Sequence, residues 1–169
     1  KLNKYQNLRP LLLVLKRYMQ VKKLNSSFHG GISSYSLFLL LYAYILQNKK
    51  KANNNIEPIN DNLGNELFGF FSFYSNLNFE MYSIDVQKDN PIYLLDKPHE
   101  NSIMLIDPIT GLNVAKSTFR IEQIKYVFNN ATMVLNNIFY EKINNITNEE
   151  DYNVLNELFN PFNYNMQPT

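Results

Sequence analysis

Apolar residues recur at helical spacing from Leu8 to Leu24, where Leu11, Leu12, Val14, Leu15, Tyr18, Met19 and Val21 are interleaved with Lys16, Arg17, Gln20, Lys22 and Lys23. This pattern predicts a helix with one buried and one basic side, and Pro10 suits its first turn, where a missing N–H breaks no helical bond. Asn25 to Ile32 reads as a turn around His29-Gly30-Gly31. Ser33 or Ser34 can cap the apolar helix that follows from Tyr35 to about Gln47. Lys49 to Asn60, with three consecutive lysines and three consecutive asparagines, reads as a solvated connector. Asp61 can cap a third helix carrying Leu63, Leu67, Phe70, Phe71, Phe73 and Tyr74.

The period then changes. Phe79, Met81, Ser83 and Asp85 alternate with Glu80, Tyr82, Ile84 and Val86, which predicts a short strand, and Ser102 to Ile106 is a second strand candidate ended by Asp107-Pro108. Gln87 to Asn101 is left as their connection. After a loop over Ile109 to Lys116, Ser117 or Thr118 can cap a long helix with Ile121, Ile124, Val127, Phe128, Ala131, Met133, Val134, Leu135 and Ile138 on its apolar side. A short helix over Glu149 to Phe159 precedes a tail, residues 160–169, expected to fray. The fold class is mainly α (α+β): a single helical domain over residues 1–169 with a small two-stranded β element.

Composition adds limits to this picture. Hydrophobic residues make up 45% and aromatic residues 14% of the 169-residue chain, enough for one domain with its own core. A net charge of +1 leaves any affinity for nucleic acid to local patches. With no cysteine, disulfides, thiolate metal sites and cysteine nucleophiles are excluded, which fits a reducing compartment. The longest apolar run, around Leu37 to Ile45, is too short for a membrane span, and no signal pattern stands at the start, so the expectation is a soluble intracellular fragment of a longer chain.

Motifs for common chemistries are missing: no phosphate-binding glycine loop, no metalloprotease helix and no serine nucleophile elbow. His29 and His99 have no local acidic partner and read as loop residues. Asp85, Glu100 and Asp107 are far apart in sequence, so no metal site is expected within the chain. What remains is Lys16 on a helix, a Gly-Gly turn, and Ser34-Tyr35 opening the next helix. A lysine can hold a triphosphate, a serine and free N–H groups at a helix start suit phosphate oxygens, and a tyrosine offers a face to a base. Spacing alone favours the plainer readings: Lys16 as a solvated helix residue, Tyr35 as core, Gly30-Gly31 and Asp107-Pro108 as turns, and Asn113 as a loop residue.

Three ordered segments carry a family resemblance. They are LRPLLLVLKRYMQVKKLNSSFHGGISSYSLFLLLYAYIL from Leu8, NLGNELFGFFSFYSNLNF from Asn62, and MLIDPITGLNVAKSTFRIEQIKYVFNNATMVL from Met104. Together they resemble the central, PAP-associated domain of noncanonical poly(A) polymerases and terminal nucleotidyltransferases of the DNA polymerase β-like superfamily. The nearest branch by this resemblance is the nuclear surveillance polymerases. It implies that Lys16 holds the triphosphate, Ser34 a phosphate oxygen, and Tyr35 stacks on the base, while Asp107 and the loop through Asn113 face the base edge. It further implies a template-independent RNA 3′-adenylyltransferase in which ATP is the substrate, with Mg²⁺ or Mn²⁺ held by a separate catalytic domain. The implied partners are that domain, the RNA 3′ end and an RNA-binding protein subunit, with no membrane and a nuclear setting.

The chain also departs from the family. Gln20 stands where many uridylyltransferases carry a second triphosphate lysine, which implies weaker phosphate affinity, and Leu112-Asn113-Val114 replaces their uridine-selecting histidine in a loop one residue shorter, which favours ATP over UTP. The family's Gly-Ser turn and metal-binding aspartates have no counterpart here, so the chain alone is expected to be catalytically inert. The alternatives are a uridylyltransferase fragment or a domain that chiefly docks a protein partner in an RNA surveillance complex.

Overall fold

The helical period of the first segment produces α1, Leu8–Val21, which buries Leu8, Leu11, Leu15, Tyr18 and Met19 and leaves Lys16, Arg17 and Gln20 in solvent. A single 3₁₀ turn, Ser27–His29, leads through Gly30 and Gly31 into α2, Ser34–Lys51. Ser33 caps that helix: its hydroxyl oxygen accepts the Ser36 N–H at 3.0 Å, satisfying one of the amides that a helix start leaves unpaired. In this computed structural model, residues 8–51, 63–99, 102–143 and 153–160 are described. The expected Asp61 cap, the start of the last helix at Glu149 and the tail beyond Asn160 lie outside them.

Helix α3, Leu63–Asn76, buries Leu67, Phe70, Phe71 and Tyr74. It packs chiefly on α4, Ile121–Ile143, from which Ile124, Val127, Phe128, Ala131, Leu135 and Ile138 enter the core. The final helix, α5, is Val154–Phe159; Asn153 caps it by accepting the Leu155 and Asn156 amides. The main-α fold with a small sheet is as the sequence predicts. No helix among the described residues is long and apolar enough to cross a membrane.

The sheet has three strands rather than the expected two. β1, Tyr82–Asp85, pairs antiparallel with β2, Ile92–Leu94, and parallel with β3, Met104–Ile106, in the order β2-β1-β3. β2 lies in the segment read as a connection, because three residues are too few to display an alternating pattern. Nor does β1 alternate cleanly: both Ser83 and Ile84 are buried, since this central strand is covered on both faces.

Two further expectations are corrected. Neither Ser117 nor Thr118 caps α4, which begins at Ile121; Thr118 is buried and donates its hydroxyl to the Gly31 carbonyl at 3.0 Å. Met133 is not core but 59% exposed, because the α4 stripe facing α3 passes through Ala131 and Leu135 instead.

Aromatic rings centre the core. Phe70 and Phe71 of α3 both meet Phe128 of α4, at centroid distances of 5.7 and 5.5 Å, and Tyr18 of α1 meets Phe71 edge-on at 5.0 Å. Such pairs add about 0.5–1.5 kcal/mol each beyond the burial of their area. The buried phenols are satisfied: Tyr18 donates to the Val127 carbonyl and Tyr74 to the Leu40 carbonyl, both at 2.7 Å. Burial pushes the Tyr74 hydroxyl pKa well up, so it stays a donor.

The turn between α1 and α2 is a close backbone approach. Gly30 has φ of +79°, and a side chain there would also collide with the Phe119 ring; at Gly31 a Cβ would overlap the Leu24 carbonyl oxygen. Gly31→Ala is expected to lower stability by about 1–3 kcal/mol, as overpacking against backbone does. A urea titration would show this as a lower midpoint with an unchanged slope; a wild-type midpoint would contradict the close approach.

Candidate functional site

The first turn of α2 carries Ser34 and Tyr35, both exposed, with Tyr35 at 41% of its full accessibility. The plainer reading of Tyr35 as core is thereby excluded. The third turn of α1 brings Lys16 and Arg17 alongside. Between the two helices lies an open cleft of about 370 Å³ bordered by Lys16, Arg17, Gln20, Asn25 and Ser34, with Met19, Ile32 and Leu37 among its apolar lining. Two cations, two amides and a hydroxyl thus surround a space at the N-terminus of an 18-residue helix, where the helix dipole favours anions. The sequence analysis singled out Lys16 and Ser34. Arg17 and Asn25 were visible in it only as part of a basic helix side and a Leu-Asn pair.

Tyr35 and Asp107 meet directly. Strand β3 delivers Asp107 to the rim beside α2, and the Tyr35 hydroxyl donates to Asp107 Oδ1 at 2.7 Å. The same oxygen accepts the Ile109 N–H at 3.1 Å, and Oδ2 accepts the Thr110 hydroxyl at 2.7 Å. These three donors, Thr110 foremost and Tyr35 next, hold the Asp107 carboxyl below the usual Asp range. In return the carboxylate pushes the Tyr35 phenol pKa up, first through the hydrogen bond, with burial and charge adding to it.

Residues 107–112 form a tight turn closed by Asp107 N–H to the Leu112 carbonyl and Gly111 N–H to the Asp107 carbonyl, both at 2.9 Å. Gly111, at φ +72°, makes the reversal. Asn113 follows in a bridge with Ile106, and its side-chain oxygen accepts two backbone amides, Leu105 N–H at 3.2 Å and Ala115 N–H at 2.9 Å. Ile109 at 87% and Leu112 at 69% exposure leave the tip of this loop apolar and open. Ser36 joins loop to helix by donating to the Val114 carbonyl at 3.5 Å.

Of the five residues picked from sequence, Lys16 and Ser34 therefore border one cleft, Tyr35 and Asp107 form one hydrogen-bonded pair next to it, and Asn113 braces the loop from behind. Thr110, which sequence reasoning passed over, anchors the carboxylate. His29 bonds Ser26 and His99 bonds Ser102, each at 3.1 Å, as loop residues do. Among the described residues no three His, Asp or Glu side chains come close enough to hold a metal ion.

Comparison with known proteins bears on the family and the fold. No family model matches the chain. It is similar to Poly(A) RNA polymerase gld-4 of Caenorhabditis elegans, with 31% identity over 75% of this chain and 16% of that protein. It is also similar to Poly(A) RNA polymerase protein 2 of Saccharomyces cerevisiae, with 28% identity over 79% of this chain and 24% of that protein. The chain thus spans about a quarter or less of the curated relatives it matches. Among solved structures, the polymerase core of TRAMP, an RNA surveillance complex, superposes with a TM-score of 0.76 at 23% identity, over 94% of this chain and 52% of that one. A mutant of the Cid1 poly(U) polymerase bound to MgATP gives 0.69 at 19% identity, over 94% of this chain and 56% of that one.

The fold is that of the nucleotidyltransferase class. More particularly, the homologues of this chain are noncanonical poly(A) and poly(U) polymerases.

Asn113→Ala would strand two backbone amides and is expected to cost about 1–3 kcal/mol, with faster amide exchange at Leu105 and Ala115 than elsewhere in the fold. Equal exchange at those amides in the variant would contradict the bracing role. The depressed Asp107 pKa also predicts a pH dependence. Its contribution is complete above the ordinary Asp value and is lost as pH falls through the lower folded value. The stability gap between the wild type and Asp107→Ala should therefore shrink in acid thermal melts; a constant gap would contradict the bonding described.

Proposed function

We propose that this chain is the nucleotide-recognition domain of a template-independent RNA 3′-nucleotidyltransferase, positioning ATP and the RNA 3′ end for a catalytic domain outside residues 1–169. The observation that carries the reading is the conjunction of Lys16 and Ser34 on one open cleft with the exposed Tyr35, which follows Ser34 on the first turn of α2 without lining that cleft. The triphosphate would lie on Lys16, Arg17 and the α2 N-terminus, and the base on the Tyr35 face, where stacking contributes about 1–3 kcal/mol in single-strand binding proteins. The divalent ion, Mg²⁺ or Mn²⁺, would be held by carboxylates of the catalytic domain, where it would neutralise charge on the leaving pyrophosphate. The exposed Ile109 and Leu112 beside Tyr35 are consistent with that domain covering the cleft. A nuclear setting and adenylyl preference belong to the same proposal.

Exposed Phe28 at 87% and Phe119 at 62%, away from the cleft lining, favour an additional role in docking a protein partner such as an RNA-binding subunit. The two roles are compatible.

Titration of the protein containing this chain with ATP and UTP in the presence of Mg²⁺ tests the reading. Wild type should prefer ATP, Tyr35→Ala should weaken binding by about 10-fold or more, as the loss of one stacked ring implies, and Lys16→Ala should weaken triphosphate more than nucleoside binding. Preference for UTP would make the parent a uridylyltransferase. Binding indifferent to Tyr35 would leave the partner-docking role alone.

A further inference from the structure

The resemblance assigns Asp107 to the base edge, but its hydrogen bonds assign it elsewhere. A carboxylate reads a base donor with a free accepting site, and most of those on Asp107 are taken: Oδ1 accepts from both Tyr35 and Ile109, and Oδ2 accepts from Thr110 and keeps one site. The residue as a whole is only 8% exposed. Asn113 is similarly occupied, its side-chain oxygen shared by the Leu105 and Ala115 amides. An adenine amino group or a uracil imide would therefore find Asp107 Oδ1 and the Asn113 oxygen already filled, with only the remaining site on Oδ2 of the buried Asp107 to accept it.

What Asp107 does hold is the ring beside the cleft. Tyr35 sits in the first turn of α2 with its ring open to solvent, and its hydroxyl is anchored on the Asp107 carboxylate 72 residues along the chain. A surface tyrosine without such an anchor samples several staggered rotamers. Fixing one of them before a ligand arrives removes an ordering cost from binding.

We propose that Asp107 is a positioning residue: its carboxylate locks the Tyr35 ring against the 107–113 loop and acts on a bound nucleotide only through that ring. This rests on the nucleotide reading above. Base preference then comes from groups other than the Asp107 and Asn113 oxygens.

The test is nucleotide titration of the full protein carrying Tyr35→Phe, Asp107→Ala, Asp107→Asn or the Tyr35→Phe/Asp107→Ala pair, each with ATP and UTP, beside Tyr35→Ala. Tyr35→Phe keeps the ring and the Asp107 turn and removes only the link between them. Loss of one hydrogen bond predicts about 3- to 10-fold weaker ATP binding. Asp107→Ala should weaken binding at least as much, and the pair no further than Asp107→Ala alone, because both changes break one interaction. Asp107→Asn retains an oxygen that can accept the Tyr35 hydroxyl and should restore affinity to within about twofold of wild type. In every variant the ATP:UTP ratio should stay within about twofold of wild type.

An ATP:UTP ratio that moves several-fold in the Asp107 variants but not in Tyr35→Phe would overturn the proposal and return Asp107 to the base edge. So would Tyr35→Phe binding like wild type, or losses that multiply in the pair. Tyr35→Ala binding like wild type would instead defeat the nucleotide reading itself, and this proposal with it.

Discussion

The turn at Gly30-Gly31 is the constraint on which the arrangement of the site depends. The end of α1 and the distant segment before α4 both close on it: the Ile32 amide bonds the Leu24 carbonyl at 2.8 Å, the Gly31 carbonyl takes the Thr118 hydroxyl, and the Gly30 carbonyl takes the Arg120 amide at 3.0 Å. The Arg120 guanidinium adds a bond to the Lys23 carbonyl. Gly31 lacks the Cβ that would overlap the Leu24 backbone, and Gly30 takes the positive φ that the turn requires, so the two glycines fix the exit of α1, the entry of α2 and the approach to α4 at once. The N-terminus of α2 is therefore a rigid platform, which is what a precise contact with a charged ligand requires.

Behind the platform, the aromatic core of Tyr18, Phe70, Phe71 and Phe128 joins α1, α3 and α4. The sheet contributes little area but does one thing the helices cannot: its β3 edge ends at Asp107 and so presents the loop to α2. Stability and recognition are divided between these layers. Apolar burial sets the positions of helices, and a handful of backbone-directed polar bonds sets the positions of the few side chains at the cleft.

Legibility in the sequence followed the range of the interactions. α1, α2 and α3 were readable because their apolar spacing is local, and the Ser33 cap because capping acts within one turn. β2 was not, since it is three residues long between Pro91 and Asp96. The start of α4 was misplaced because Thr118, a good cap by residue type, is bound to Gly31, 87 residues away. In the candidate site, spacing alone left Lys16 and Tyr35 with ordinary structural readings, and the family resemblance was needed to lift them out. The Tyr35–Asp107 bond and the double use of the Asn113 oxygen are tertiary facts that no local pattern encodes.

The most direct test is a crystal structure of the protein containing this chain, bound to a non-hydrolysable ATP analogue and Mg²⁺. The account predicts the adenine against the Tyr35 ring, the Tyr35 hydroxyl still on Asp107, and the triphosphate between Lys16 and Ser34. A nucleotide seated away from the α1–α2 cleft, with Tyr35 touching only protein or solvent, would contradict it.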